Sequence, residues 1–191
     1  MTAGAAVEGP DGLLRCPWGL STPDYVDYHD TEWGRPVHGD QALYERLCLE
    51  AFQSGLSWIT ILRRRETFRK AFADFDPAVV AAYRDADVER LMADPGIIRN
   101  RAKVLAVIAN AGALLALADT TLDALVWSFA PARPGPAPRV LGDVPAVTAE
   151  STALAKELKR RGFRFVGPTT AYALMQACGL VNDHLADCHA R

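Results

Sequence analysis

No stretch of this chain alternates apolar and polar residues with a period of two for long enough to build a sheet. Apolar residues recur instead at three- and four-residue spacings, punctuated by Gly and Pro, so the expected class is all-α. The pattern predicts helices over 41–54 (with Asp40 as N-cap), 58–73 (capped by Ser57), from 76–77 onward, 88–92, 97–118, 122–129, 148–161 and 168–179. Gly162 stands where a helix-ending glycine belongs, and Pro168 where a helix opens.

At 191 residues the chain is long enough for one domain, here expected over 16–191 as two helical lobes sharing a core. Residues 1–15 are Gly/Ala-rich and read as a loose, flexible tail. Residues 16–40 read as loop and short helix, and 131–138, with four prolines and a glycine, as a linker. There is no repeat of solenoid period. No apolar run reaches the roughly 18 residues of a membrane span, and no secretory leader is visible, so a cytoplasmic protein is expected; a monomer is the expected state.

Four cysteines in a reducing compartment point to metal ligands or core residues before disulfides. His184 and Cys188 are four residues apart, one turn if that stretch is helical, and Cys16 and His29 lie near the other end of the chain. Together they make a Cys2His2 set of the kind zinc prefers. Spacing alone does not decide this: there is no tight Cys-x-x-Cys pair, and ordinary thiols with hydrogen-bonded histidines are the simpler reading. His38 and His189 are spare, and His189 is a possible substitute ligand.

Trp18, Tyr25, Tyr28, Trp33 and Trp58 crowd the first third of the chain. Such rings line a pocket for a planar ligand or form a local core. Glu50 narrows the choice. On a helix from 41, it shares a stripe with Leu43 and Leu47, so it points inward with no basic partner on that face. A buried carboxylate is costly unless it is used. Beside aromatic rings, it suits a cationic ring that carries amines.

The net charge of −2 excludes a chain that coats itself in nucleic acid, but the basic residues are clustered. Arg63–Arg65 with Arg69 and Lys70, Arg99 with Arg101 and Lys103, and Lys156 through Arg164 form three groups, each compatible with a solvated face. The last flanks a tight turn over 161–171. A helix N-terminus there offers backbone N–H groups to an anion such as a DNA phosphate, although a plain helical hairpin fits as well.

At this point the chain resembles a known family, 3-methyladenine DNA glycosylase I of the helix-hairpin-helix superfamily. The resemblance spans roughly 15–188 and rests on separated strings: Tyr25-x-x-Tyr28-His29-Asp30-x-Glu32-Trp33-Gly34, Cys48-Leu49-Glu50, Gly55-Leu56-Ser57-Trp58-Ile59-Thr60, Gly96-Ile97-Ile98-Arg99, Val126-Trp127-Ser128-Phe129, Phe165-Val166-Gly167, and Met175 through His184. It implies a helix-hairpin-helix fold with a structural zinc, one per chain, held by Cys16, His29, His184 and Cys188 and stapling the two ends together. It implies that Glu50 is catalytic, that Tyr28 and Trp58 line the base pocket with Tyr25, Trp18 and Trp33 around it, and that Gly162, Arg164, Gly167, Thr169 and Thr170 contact damaged double-stranded DNA. The implied reaction is hydrolytic removal of a flipped N3-methyladenine, leaving an abasic site. Asp183 ranks below Glu50 as an alternative acid. No lysine stands among the pocket candidates, so no lyase step is expected. A non-catalytic module that binds alkylated bases is the alternative. Ala51, Ser54, the long N-terminal segment and the 131–138 linker depart from the family pattern.

Overall fold

The computed structural model describes residues 4–191; positions 1–3 of the expected tail lie outside the described residues. Among the described residues ten α-helices follow one another: α1 (Pro23–Thr31), α2 (Asp40–Gln53), α3 (Trp58–Leu62), α4 (Arg65–Ala71), α5 (Pro77–Ala81), α6 (Asp85–Ala93), α7 (Arg101–Leu115), α8 (Leu122–Trp127), α9 (Ala149–Arg160) and α10 (Pro168–Ala177). The all-α expectation holds for most of the chain, with one small two-stranded sheet as the exception.

The segment ahead of Cys16 differs from the loose tail expected of it. Val7–Glu8 (β1) pairs antiparallel with Leu14–Arg15 (β2) around a turn at Gly12, a two-stranded ribbon. Composition hid it, because what fixes the ribbon is distant in sequence. Arg15, 3% exposed, reaches Asp11 at 2.7 Å and Asp30 at 2.8 Å, and the N–H of His189 donates to Leu14 O.

Helix starts follow local chemistry. Asn100, Thr121 and Thr148 each accept a backbone N–H into the first turn of α7, α8 and α9. The Asn100 cap is why α7 begins at Arg101 and not at 97 as expected. Asp40 is not the cap of α2: Gly39 takes that position, and Asp40 accepts the Asp123 N–H at 2.9 Å, tying α2 to α8. The single helix expected over 58–73 is two, broken at Arg63–Arg64, where the backbone of Arg64 leaves the helical range.

Helix α2 runs through the middle of the protein, packed against α3, α7, α8 and α10, while α9 lies along α10. Its inward face carries Leu43, Leu47 and Phe52, all almost fully buried. Phe52 meets Phe68 at a tilt of 53°, with ring centroids 4.7 Å apart, and Phe72 and Phe75, stacked on each other, continue the aromatic core. Burial of each such side chain contributes about 2–3 kcal/mol, which makes α2 the rigid element on which a site can be mounted.

Candidate functional site

Glu50 sits on the buried stripe of α2, 6% exposed, as its spacing from Leu43 and Leu47 requires. Around it Trp18, Tyr25, Tyr28, Trp33 and Trp58 converge with Gln53, Ala173 and Gln176 on a cavity of about 230 Å3. Trp18 comes from the turn after Cys16, Tyr25 and Tyr28 from α1, Trp33 from the loop beyond it and Trp58 from the start of α3. All six residues expected in the pocket are there.

Burial pushes the Glu50 carboxyl up to about 8, against a partial pull downward from Arg46. Its oxygens make no hydrogen bond among the described residues. Arg46, one turn earlier on α2, is instead bound to Glu32 at 2.8 Å, which Arg65 also holds. The pocket therefore presents an acidic group without a partner of its own, and a negative charge there is stabilised when a cation enters.

The rings form walls at angles, not a slot. Trp18 meets Trp33 at 5.0 Å and 79°, and Tyr25 at 5.5 Å and 72°. Tyr28 and Trp58 are 5.5 Å apart and tilted by 40°. A base between two parallel rings needs about 7 Å, so these two make adjacent walls of a corner. Tyr25 is fixed by the Ile59 N–H, which donates to its hydroxyl at 3.1 Å.

Directly behind the Trp18–Trp33 wall lie Cys16, His29, His184 and Cys188, all buried, with one ligand atom of each within 4.8 Å of the others. Cys188 Sγ is 3.5 Å from His29 Nε2 and 3.6 Å from His184 Nδ1, and Cys16 Sγ is 3.9 Å from His184 Nδ1. A tetrahedral zinc at its usual bond lengths places sulfur and nitrogen ligands roughly 3.6 Å apart, so this donor set fits a metal ion. The far ring nitrogens are occupied: His29 Nδ1 lies 2.7 Å from Asp30 and His184 Nε2 3.0 Å from Trp33 O. Each histidine thus turns the correct nitrogen inward. Burial holds His29 and His184 below the usual histidine range and pushes the Cys16 thiol up to about 12. His189 bonds Asp30 and stays outside the tetrad. Gly19 packs so closely that a Cβ there would lie 2.8 Å from the His29 ring.

The hairpin joins α9 to α10. Gly162, at φ 95°, turns the chain, Phe163 and Val166 anchor it in the core, and Gly167 caps α10. Asn110 of α7 grips Arg164 by its backbone, accepting its N–H at 2.7 Å and donating to its C=O at 3.2 Å. Arg164 and Thr169 are exposed, and the first turn of α10 has no side-chain cap. Much of the basic clustering proves structural. Arg63 pairs with Asp24, Arg65 with Glu32, Arg69 with Glu45, Arg101 with Glu89, and Arg161 with Asp119 and Glu157. Lys103 is buried, donating to Phe52 O and Ser54 O at 2.9 and 2.7 Å and so capping α2 just beyond Glu50.

Sequence reasoning missed Gln53, Gln176 and Ala173. The spacing of 173 and 176 on one helical face was the available signal. Asp183 is outside the pocket, engaged by Tyr172 and Gln176.

A helical fold that closes five aromatic rings around a carboxylate with no hydrogen-bond partner among the described residues has the shape and charge to suit a planar, electron-poor ring. The sequence model of the methyladenine glycosylase family matches residues 18–191. DNA-3-methyladenine glycosylase 1 of Escherichia coli (strain K12) is 49% identical over 180 residues, covering 92% of this chain and 96% of the relative. A crystal structure of 3-methyladenine DNA glycosylase I superposes with a TM-score of 0.88 at 48% identity, covering 92% of this chain and 98% of the other. A single-substitution form of a 3-methyladenine DNA glycosylase I, solved in complex with 3-methyladenine, superposes with a TM-score of 0.87 at 36% identity, covering 92% and 96%. The chain belongs to the methyladenine glycosylase family.

Proposed function

We propose that this protein excises N3-methyladenine from alkylated double-stranded DNA by hydrolysis, leaving an abasic site, with residues 16–191 acting as one domain in a cytoplasmic monomer. The observation that carries this reading is Glu50, buried and without a hydrogen-bond partner among five aromatic rings.

Methylation at N3 leaves the base positively charged and weakens its bond to the sugar. Flipping the nucleotide out of the stack costs a few kcal/mol, less for a damaged base. The flipped cation stacks on Trp58, with Tyr28 closing the adjacent wall and Trp18, Tyr25 and Trp33 the rest. Ring faces and carboxylate both favour a cation over the neutral base. The incoming charge supplies what Glu50 lacks, so the carboxyl ionises and accepts from the base. Carboxylate and rings hold the cationic base in place. As its bond to the anomeric carbon breaks, the electron pair neutralises the departing base and positive charge develops on the sugar. Water bonds to the anomeric carbon and releases a proton to solvent. Because the base is already activated, no strong general acid is needed.

Cys16, His29, His184 and Cys188 are the residues that would hold zinc, whose contribution is structural: four protein ligands leave no position for a reactive water. Held there, it fastens Cys16 to the C-terminal segment and with it the Trp18–Trp33 wall. Gly162, Arg164, Gly167, Thr169 and Thr170 bind backbone phosphates through N–H groups and one free guanidinium, which positions the duplex without reading its sequence.

Counting abasic sites tests the reading. Alkylated duplex incubated with the protein should accumulate sites that break only after alkali, since no lysine lines the pocket. Binding of the alkylated duplex without abasic sites would identify a lesion-binding module instead.

A further inference from the structure

Asp183 and Gln176 together connect two cavities. Tyr172 donates its hydroxyl to Asp183 Oδ2 at 2.6 Å, and Gln176 Nε2 donates to the same oxygen at 2.8 Å. Asp183 and Tyr172 line a groove of about 590 Å3 beside the proline-rich 131–138 segment, whereas Gln176 lines the aromatic pocket. The Gln176 side chain thus runs from one cavity to the other. Its backbone is fixed as well: Gln176 O accepts the Gly34 N–H at 3.1 Å, which ties α10 to the loop carrying Trp33.

A carboxamide has one donor end and one acceptor end. Asp183 Oδ2 already receives the Tyr172 proton, so it can only accept, and the Gln176 amide must turn its Nε2 toward it. The acceptor end, Oε1, is left on the side of the aromatic pocket and has no partner among the described residues.

We infer that Gln176 is a specificity-determining residue whose Oε1 accepts a hydrogen bond from the exocyclic amine of the bound base, and that Asp183 and Tyr172 are positioning residues that keep the amide from reversing. This rests on the pocket being the site for 3-methyladenine. The amine at C6 of adenine presents N–H donors, whereas guanine carries a keto oxygen, an acceptor, at the same place. Two acceptors on packed helices, Glu50 on α2 and Gln176 on α10, can each take one N–H of the amine. A keto oxygen there would face Oε1 oxygen to oxygen. Discrimination of this kind is large because a buried polar group left unpaired is expensive.

The test uses the full-length, zinc-loaded protein and free 3-methyladenine and 3-methylguanine, with quenching of the pocket tryptophans as the readout. The wild type should favour 3-methyladenine. Gln176→Met should weaken 3-methyladenine binding by about tenfold and leave 3-methylguanine unchanged or tighter, so that the ratio collapses. Asp183→Ala, which frees the amide to turn, should lower the same ratio, and on alkylated DNA it should raise KM more than it lowers kcat. A folded Gln176→Met protein with the wild-type ratio overturns the inference. If that variant fails to fold, Tyr172→Phe removes a single oxygen and reads the same quantity: a lowered ratio supports the inference and a wild-type ratio overturns it. A wild-type protein that binds neither base would overturn the reading of the pocket itself, an outcome distinct from failure of the Gln176 assignment alone.

Discussion

Arg46 and Glu50 stand one turn apart on α2, yet only Arg46 is paired. Its guanidinium is committed to Glu32 at 2.8 Å, and Glu50 is left to face the aromatic rings. The helix thus brings a cation close enough to temper the cost of burying Glu50 but not to neutralise it.

That cost has a measurable sign. Burial raises the Glu50 carboxyl from 4.5 to about 8, so the folded state holds its proton more tightly than the unfolded chain. Below the unfolded value both states are protonated and nothing is lost. As pH rises from 4.5 toward 8 only the unfolded chain releases the proton, and stability falls. Glu50→Gln should therefore match the wild type near pH 4.5 and become increasingly more stable toward pH 8, by up to about 4 kcal/mol or roughly 10 °C in Tm. Thermal melts of both proteins across this range check it; a constant difference would show that Glu50 does not titrate there.

Removing the metal should damage the pocket along with the fold. The tetrad shares the Trp18–Trp33 wall, with Trp18 5.1 Å from the His29 ring and Trp33 4.7 Å from that of His184. Chelation, or Cys188→Ser, should lower Tm by roughly 10 °C or more and abolish quenching by free 3-methyladenine. Elemental analysis should find one zinc per chain in the wild type. Because the ligands must be thiolates and neutral imidazoles, metal affinity should fall as pH falls.

Asn110 carries the hairpin. Asn110→Ala leaves the N–H and C=O of Arg164 without partners, at a cost of about 2–3 kcal/mol. Affinity for undamaged duplex should drop in parallel, while binding of free 3-methyladenine should remain. Denaturant melts and the two binding measurements separate these effects.

Two arginines of one cluster should behave oppositely. Arg164 is exposed and makes no ion pair among the described residues, whereas Arg161 is held by Asp119 and Glu157 at 2.6 Å each. Arg164→Ala should weaken DNA binding and reduce the salt-dependence slope by about 1. Arg161→Ala should leave the slope nearly unchanged. Titrations at several salt concentrations decide between them.

What could be read in the sequence was whatever depends on neighbours along the chain. The inward turn of Glu50 followed from its place among Leu43 and Leu47, and the ends of α9 and α10 from Gly162 and Pro168. The Cys2His2 cluster was not decidable from spacing, because Cys16 and Cys188 meet only once the ends of the chain converge; the family resemblance supplied what spacing lacked. The ribbon before Cys16 depends on an Asp30 fifteen residues away, and no local pattern announces that. Basic runs misled for the same reason. Lys103 and Arg161 read as surface charge, while Lys103 donates to the end of α2 and Arg161, besides Glu157 on its own helix, reaches Asp119 forty-two residues away. For Gln176 the spacing from Ala173 on one face of α10 was a weak signal, and the role of its amide shows only where it is bound to Asp183.

The most direct test of the central claim is chromatography of the bases freed from methylated duplex DNA by the zinc-loaded protein and by its Glu50→Gln variant. The wild type should release 3-methyladenine with little 7-methylguanine, and the variant should lose at least about a hundredfold in rate. Equal release by the two proteins, or none by the folded wild type, would contradict it.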